Sequence, residues 1–156
     1  MSDDGVRRSL AVELGLVGSP QLGRDPQFWV ALAAGPVAWA VLGLAGLLPS
    51  RVSDPVALAG LVLVRPVVEE FVFRGALQGW ALGTNWGNWR LGPLTGANGA
   101  SSVLFVAAHA LAQPPAWAAA VLLPSLIFGY FRDRTGSLVA PCLLHGFYNA
   151  GFFAFG

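Results

Sequence analysis

Residues 28–48 run without one charged side chain. That is about the 20 residues an apolar helix needs to cross the hydrocarbon of a bilayer. Similar stretches recur at 55–82, 97–112, 116–131 and 137–155. A soluble helix must show water a polar face, and none of these has one of useful width, which argues against a soluble helical bundle. The 156 residues are 55% hydrophobic and only 11% charged, less than half the roughly 25% charge of a soluble domain. The expected fold is therefore all-α: a polytopic membrane helix bundle of about five transmembrane helices.

The flanks and turns suit that reading. Segment 1–27 is polar to mildly amphipathic. Its Leu10, Leu14 and Val17 recur at helical spacing, which fits a short N-terminal surface helix. It lacks the apolar stretch and cleavage site of a signal peptide, so the first span would itself direct insertion. The division expected is an N-terminal cytoplasmic or interfacial segment, 1–27, and a helical core, 28–156. Pro36 lies inside the first span, Pro66 should kink the second, and Pro124 should interrupt the fourth. Residues 83–96, with Asn85, Trp86, Asn88, Trp89 and Arg90, suit a polar-aromatic loop at the membrane interface.

All nine basic residues are Arg. With five spans and the N-terminus inside, Arg7, Arg8, Arg24, Arg90, Arg132 and Arg134 fall on the inner side and Arg51 alone on the outer. That bias orients the N-terminus toward the cytoplasm and the C-terminus outward. A net charge of +1 cannot assemble a basic face, which excludes a nucleic-acid partner. The single cysteine, Cys142, excludes an internal disulfide and a cysteine-rich metal site.

Against this apolar background the ionisable residues stand out. Arg65, Glu69, Glu70 and Arg74 interrupt the second apolar run, His109 ends the third, and His145 and Asn149 lie in the last. A charge at membrane depth costs about 2.5–3.5 kcal/mol on insertion scales and is rare there unless it works. Arg65–Glu69 and Glu70–Arg74 are spaced i,i+4, so each can pair along one helix face. Neighbouring residues on a helix diverge by about 100°, so one glutamate should face a cavity while the other is locked to its arginine. His145 and Asn149, also i,i+4, can reach one point. Taken singly, each piece has a bland structural reading: paired charges that hold helices together, a hydrogen-bonded core histidine. Together they are two carboxylates, two imidazoles and an amide, a set that can activate water and stabilise an oxyanion.

The spacing resembles a known family. Glu69-Glu70-Phe-Val-Phe-Arg74 fits the Glu-Glu-x-x-x-Arg motif of the CAAX protease and bacteriocin-processing (Abi) family of intramembrane glutamic proteases. Phe105-Val-Ala-Ala-His109 fits its Phe-x-x-x-His motif, and His145-Gly-Phe-Tyr-Asn149 its His-x-x-x-Asn motif. The three occur in family order, from about residue 55 to the end, and the chain looks like a minimal core. Among subfamilies it resembles the proteases paired with C-terminal sorting signals, of the JDVT-CTERM type.

The resemblance implies a bacterial inner-membrane endopeptidase. Glu69 would be general base with His109 as partner on the water. His145 and Asn149 would face the oxyanion, and Glu70 and Arg74 would form a supporting pair. Arg65 has no role in the family pattern and is a candidate modulator or contact for a substrate carboxylate. The implied partners are the bilayer and a membrane-associated protein or peptide, such as a C-terminal tail. No cofactor is implied, although Glu69, His109 and His145 are also acceptable zinc ligands. A zinc-dependent intramembrane protease therefore stays open, as do a non-enzymatic membrane partner of immunity type and a small proton-coupled transporter.

Overall fold

The computed structural model describes residues 9–155, so Arg7 and Arg8 lie outside the described residues. The fold is all-α, and among the described residues the only strands are the two of one short hairpin.

Helices start where the sequence supplies a carboxylate followed by proline. After a single turn, α1 (Leu10–Glu13), the helix α2 covers Pro26–Leu44. The Asp25 side chain accepts from the Gln27 N–H at 3.0 Å, and Pro26 takes the first helical position, where a missing N–H is not needed. The Arg134 guanidinium, hydrogen-bonded to Asp25, holds that carboxyl below its ordinary range. Asp54 repeats the arrangement, accepting from the Val56 and Ala57 N–H groups at 3.2 Å each ahead of Pro55.

Residues 55–82 then form one unbroken helical run, α3. It is α-helical at Pro55–Ala59, Arg65–Glu70 and Gly79–Leu82, and π-helical at Gly60–Val64 and Phe71–Gln78. The kink expected at Pro66 takes this form. Proline gives no N–H to the preceding turn and its ring crowds that turn, so the helix widens just before it.

The expected loop 83–96 is more ordered than its composition suggests. Thr84 caps a short helix, α4 (Asn85–Asn88). An antiparallel hairpin follows, β1 (Arg90–Leu91) on β2 (Leu94–Thr95), with Arg90 opposite Thr95. Thr95 caps α5 (Gly96–Ala110). Next come α6 (Pro115–Ala120), α7 (Leu122–Thr135) and α8 (Val139–Ala154). The break between α6 and α7 falls at Val121 rather than at Pro124. Pro124 sits in the first turn of α7, where its lack of an N–H is harmless.

Among the described residues two helical stretches are long and apolar enough to cross a membrane by themselves, Pro26–Leu44 and Pro115–Thr135, the second made of α6 and α7. The outer surface of the bundle is apolar beyond these two stretches as well. Arg74, Gln78, Glu70, Asn98, Ser101, Ser102 and Ser125 are among the most deeply buried side chains, while Val30, Leu44, Val56, Leu104 and Leu123 are exposed. Water-soluble proteins distribute these residues the other way. In hydrocarbon, polar groups must find partners inside the bundle; several here do, although Gln78 Oε1 is buried without one. Asn98 Nδ2 donates to the Leu126 carbonyl at 3.0 Å, and Ser101 Oγ to the Phe73 carbonyl at 2.7 Å.

Helix α8 is the element around which the site is built. It packs on α7, on α2 and on the first π-helical turn of α3, and shares an apolar cluster of Phe28, Ala31, Phe128, Phe131, Ala140 and Leu144. Two of its glycines let backbones and rings come close. A Cβ on Gly146 would stand 2.7 Å from the Val62 carbonyl oxygen, and one on Gly151 would stand 2.1 Å from the Trp39 ring.

The two ends of the bundle differ. One gathers Asp25, Asp133, Arg134 and the segment before α2: Ser137 Oγ donates to the Val17 carbonyl at 2.5 Å and the Leu138 N–H to the Gly15 carbonyl at 2.9 Å. The α1 region is thus a strap across this end rather than a free surface helix. Arg132 secures it from within, donating to the Glu13 carbonyl at 2.6 Å and the Arg74 carbonyl at 3.1 Å. It is 4% exposed, so it serves as an internal clamp and not as a charge on the membrane surface. The opposite end carries Arg51 and is closed by the Val52 N–H donating to the Phe153 carbonyl at 3.0 Å.

Candidate active site

The second turn of α3 after Pro66 sends its two glutamates to different places. Glu70 points into the bundle and is completely buried. Arg74, one turn on and equally buried, lies with Nη1 at 3.2 Å from Glu70 Oε1 and Nε at 3.2 Å from Oε2. Arg74 Nη2 also donates to the Ser125 carbonyl at 3.0 Å and to Ser125 Oγ at 2.7 Å. Its guanidinium carbon stands 4.6 Å from the centre of the Phe105 ring, a distance at which the ring face attracts a cation. Glu69 instead lines a cavity of about 410 Å³, a usual size for a site that takes a small ligand or peptide side chains.

His109, His145 and Asn149 line the same cavity. Three separate motifs on α3, α5 and α8 therefore meet at one space, while Glu70 and Arg74 form the layer behind it. Arg65, Gln113, Trp117, Phe152 and the turn residues Leu47 and Leu48 complete the walls. A larger open groove of about 850 Å³ runs along Gly18, Pro20, Asp25 and Arg134. It holds none of the motif residues, so the smaller cavity is the candidate site.

Hydrogen bonds assign the protons of both imidazoles. His145 Nδ1 lies 2.7 Å from Glu70 Oε1. A carboxylate only accepts, so Nδ1 carries hydrogen and Nε2 is a lone pair in the neutral ring. That Nε2 lies 3.6 Å from Glu69 Oε2. Hydrogen-bond donation from Nε2 requires the doubly protonated ring. The ring is held flat against Phe128, with centroids 5.0 Å apart and planes at 17°. His109 Nδ1 lies 3.0 Å from the Phe105 carbonyl, which likewise fixes hydrogen on Nδ1 and leaves Nε2 as the acceptor.

Asn149 Nδ2 donates to the Leu61 carbonyl at 3.0 Å. That carbonyl is five residues before Pro66, the spacing of a π-helical hydrogen bond, which proline cannot supply. The second amide hydrogen of Asn149 remains for the cavity. Glu69 is engaged as well: Arg65 Nε donates to its Oε1 at 2.7 Å. Among the described residues no group of three His, Cys, Asp or Glu side chains lies at metal-ligating separation.

Several contributors escaped the sequence reading. Ser125 anchors Arg74, Phe128 clamps His145, and Gln113 and Trp117 line the cavity. None belongs to a motif. The one usable signal was Pro66, whose missing donor announces a carbonyl in need of a partner.

Fold and site together describe a helical protein with apolar outer faces and a polar cavity enclosed among its helices. The family model described as Type II CAAX prenyl endopeptidase Rce1-like matches residues 51–151, which include α3, α5, α7 and nearly all of α8. The chain belongs to this family. No curated protein and no solved structure matches it. Membership supports a membrane-embedded protease acting on membrane-associated protein substrates.

Proposed function

We propose that the chain is an intramembrane endopeptidase that hydrolyses a peptide bond in the C-terminal tail of a membrane-associated protein, using water activated by Glu69. The observation that carries this reading is the convergence of Glu69, His109, His145 and Asn149 on one cavity among helices whose outer faces are apolar.

In this mechanism the water gives its proton to Glu69 while its second hydrogen bonds to His109 Nε2. The oxygen attacks the carbonyl carbon of the scissile bond. The oxyanion that forms accepts from the second amide hydrogen of Asn149 and, when the ring is doubly protonated, from His145 Nε2–H. Glu69 then returns its proton to the leaving nitrogen, and the carbon–nitrogen bond breaks. Glu70 and Arg74 are positioning residues: the carboxylate holds His145 and the guanidinium holds the carboxylate.

We read the helical core 28–156 as five spans in a bacterial inner membrane, with segment 1–27 on the cytoplasmic side. Arg24, Arg90 and Arg134 belong to the strapped end, and only Arg51 to the other. The cavity reaches toward the Arg51 end, since Leu47, Leu48, Gln113 and Phe152 line it. This favours entry from the extracytoplasmic half of the bilayer and hence the tail of an exported protein.

The test is the purified protein in lipid vesicles with two fluorescent fusions. One carries an apolar C-terminal sorting tail, the other an S-farnesylcysteine followed by three apolar residues. Cleavage that resists a chelator and is lost in Glu69→Gln is expected. Cleavage abolished by the chelator and restored by zinc would replace this mechanism with the metal-dependent one.

A further inference from the structure

Arg65 is the one arginine among the described residues on the wall of the candidate cavity, and its state differs from that of its counterpart one helical stretch later. Arg74 and Glu70 are both fully buried, whereas the Arg65 side chain is 49% exposed and that of Glu69 17%. Glu69 engages only Nε of Arg65. Among the described residues nothing hydrogen-bonds to its two terminal nitrogens, which carry four N–H donors. The apolar part of the wall, Leu47, Leu48, Trp117, Val121 and Phe152, offers no side-chain acceptor, and the polar lining residues Gln113, His109 and Asn149 make no hydrogen bond to the guanidinium. A pair that served only to hold helices together would have no reason to line a cavity with half of its cation uncovered.

We propose, resting on the protease reading above, that Arg65 is the anion subsite of the cavity. It receives a substrate carboxylate close to the scissile bond, supplied by a free chain terminus or an acidic side chain. The planar fork of donors matches a carboxylate in a two-point contact that a lysine could not reproduce. In the resting site Glu69 occupies part of this fork. A substrate carboxylate exchanges with Glu69 and frees Oε1 to face water, so the base is released when a correctly ended substrate arrives. Because Arg65 and Glu69 touch, the carboxylate sits within about three extended residues, roughly 10 Å, of the bond that is cut.

The test compares each tail probe as its free acid and as its C-terminal amide, with a third version that is an amide with Glu as its last residue. Two readouts are taken: cleavage by wild type, Arg65→Gln and Arg65→Lys, and binding to the inactive Glu69→Gln protein with and without Arg65→Gln, followed by fluorescence of a labelled tail. Wild type should prefer free acid over amide by about tenfold or more in kcat/KM. Arg65→Gln should bring that ratio near one, and Arg65→Lys should recover only part of it. The amide ending in Glu separates the sources: if it behaves like the free acid, any nearby carboxylate serves; if it behaves like the plain amide, the chain terminus is read.

Cleavage with no acid preference, or a preference that survives in Arg65→Gln, overturns the proposal and leaves the protease reading standing. Absence of Arg65-dependent binding of the acid forms across the panel also overturns it. Acid-selective binding that needs Arg65, without cleavage of any probe, upholds the subsite and sinks the protease reading.

Discussion

Two arginine–glutamate pairs of i,i+4 spacing lie on one helix, the second five residues after the first, and they are put to opposite uses. Glu70–Arg74 is sealed, with the pair further tied to His145, Ser125 and the faces of Phe105 and Phe128. Arg65–Glu69 stands on a cavity wall and keeps donors to spare. The lesson is that a buried ion pair is informative through what else it touches. A pair closed off among other side chains belongs to the scaffold, and one with donors facing a cavity is available for chemistry.

The largest effect that would sharpen this contrast is on rate. Glu69→Gln is expected to lower cleavage by about 10²- to 10⁴-fold, the usual loss for a general base, with the unfolding midpoint unchanged. A Glu69→Gln protein that cleaves at the wild-type rate breaks the assignment of chemistry to the cavity-side pair.

The sealed pair should show the reverse. Arg74→Met leaves the Glu70 charge buried without its partner and is expected to cost about 3–5 kcal/mol, read as a shift in detergent-micelle unfolding. Arg65→Gln should cost less than about 1 kcal/mol, as for exposed pairs. Equal losses at the two arginines would erase the distinction.

Smaller again is Gly151→Ala, which tests whether α8 is held at a fixed distance from α2. The added methyl meets the Trp39 indole, and overpacking of this kind costs typically about 1–3 kcal/mol. A wild-type melting temperature would mean that α8 can shift, and with it His145 and Asn149.

The smallest expected effect lies at the surface, far from both pairs. Arg134 lowers the Asp25 carboxyl below its ordinary 3.8. The stabilisation this gives is fully present above pH 3.8 and fades as the pH falls through the lower folded-state value. An acid titration of unfolding should show a shallow decline there, absent in Asp25→Asn and flattened by salt. An unchanged decline in that variant would assign it to another carboxyl group.

How much of this could be read from the chain depends on whether a residue's job is local. The i,i+4 pairs on α3 and the shared face of His145 and Asn149 follow from helical geometry alone, and the divergence of Glu69 from Glu70 needs only the angle per residue. The motif order was likewise visible, which is why the family could be named on its residues. Ser125, Phe128, Gln113 and Trp117 were invisible because they act across helix–helix contacts that no spacing within one helix encodes. Boundaries went astray for similar reasons. Pro66 was expected to bend its helix, but a widened turn relieved the strain and handed a carbonyl to Asn149. The stretch 83–96 looked like loop because its capping threonines, Thr84 and Thr95, matter only once the chain has turned back on itself.

The strap held by Arg132 has a consequence for how the protein is made. Glu13 and Val17 are docked by Arg132 and Ser137, partners 119 and 120 residues later in the chain. Contacts of such separation form late, since the loop between them must first be closed. During synthesis Glu13 and Val17 emerge early, and their partners Arg132 and Ser137 arrive only with the final helices. Arg132 donates to the backbone carbonyls of both Glu13 and Arg74, so closing the strap and setting the turn that holds the sealed pair are one event. On the reading proposed above, the cavity is complete only once α8, which brings His145 and Asn149, has packed against the earlier helices.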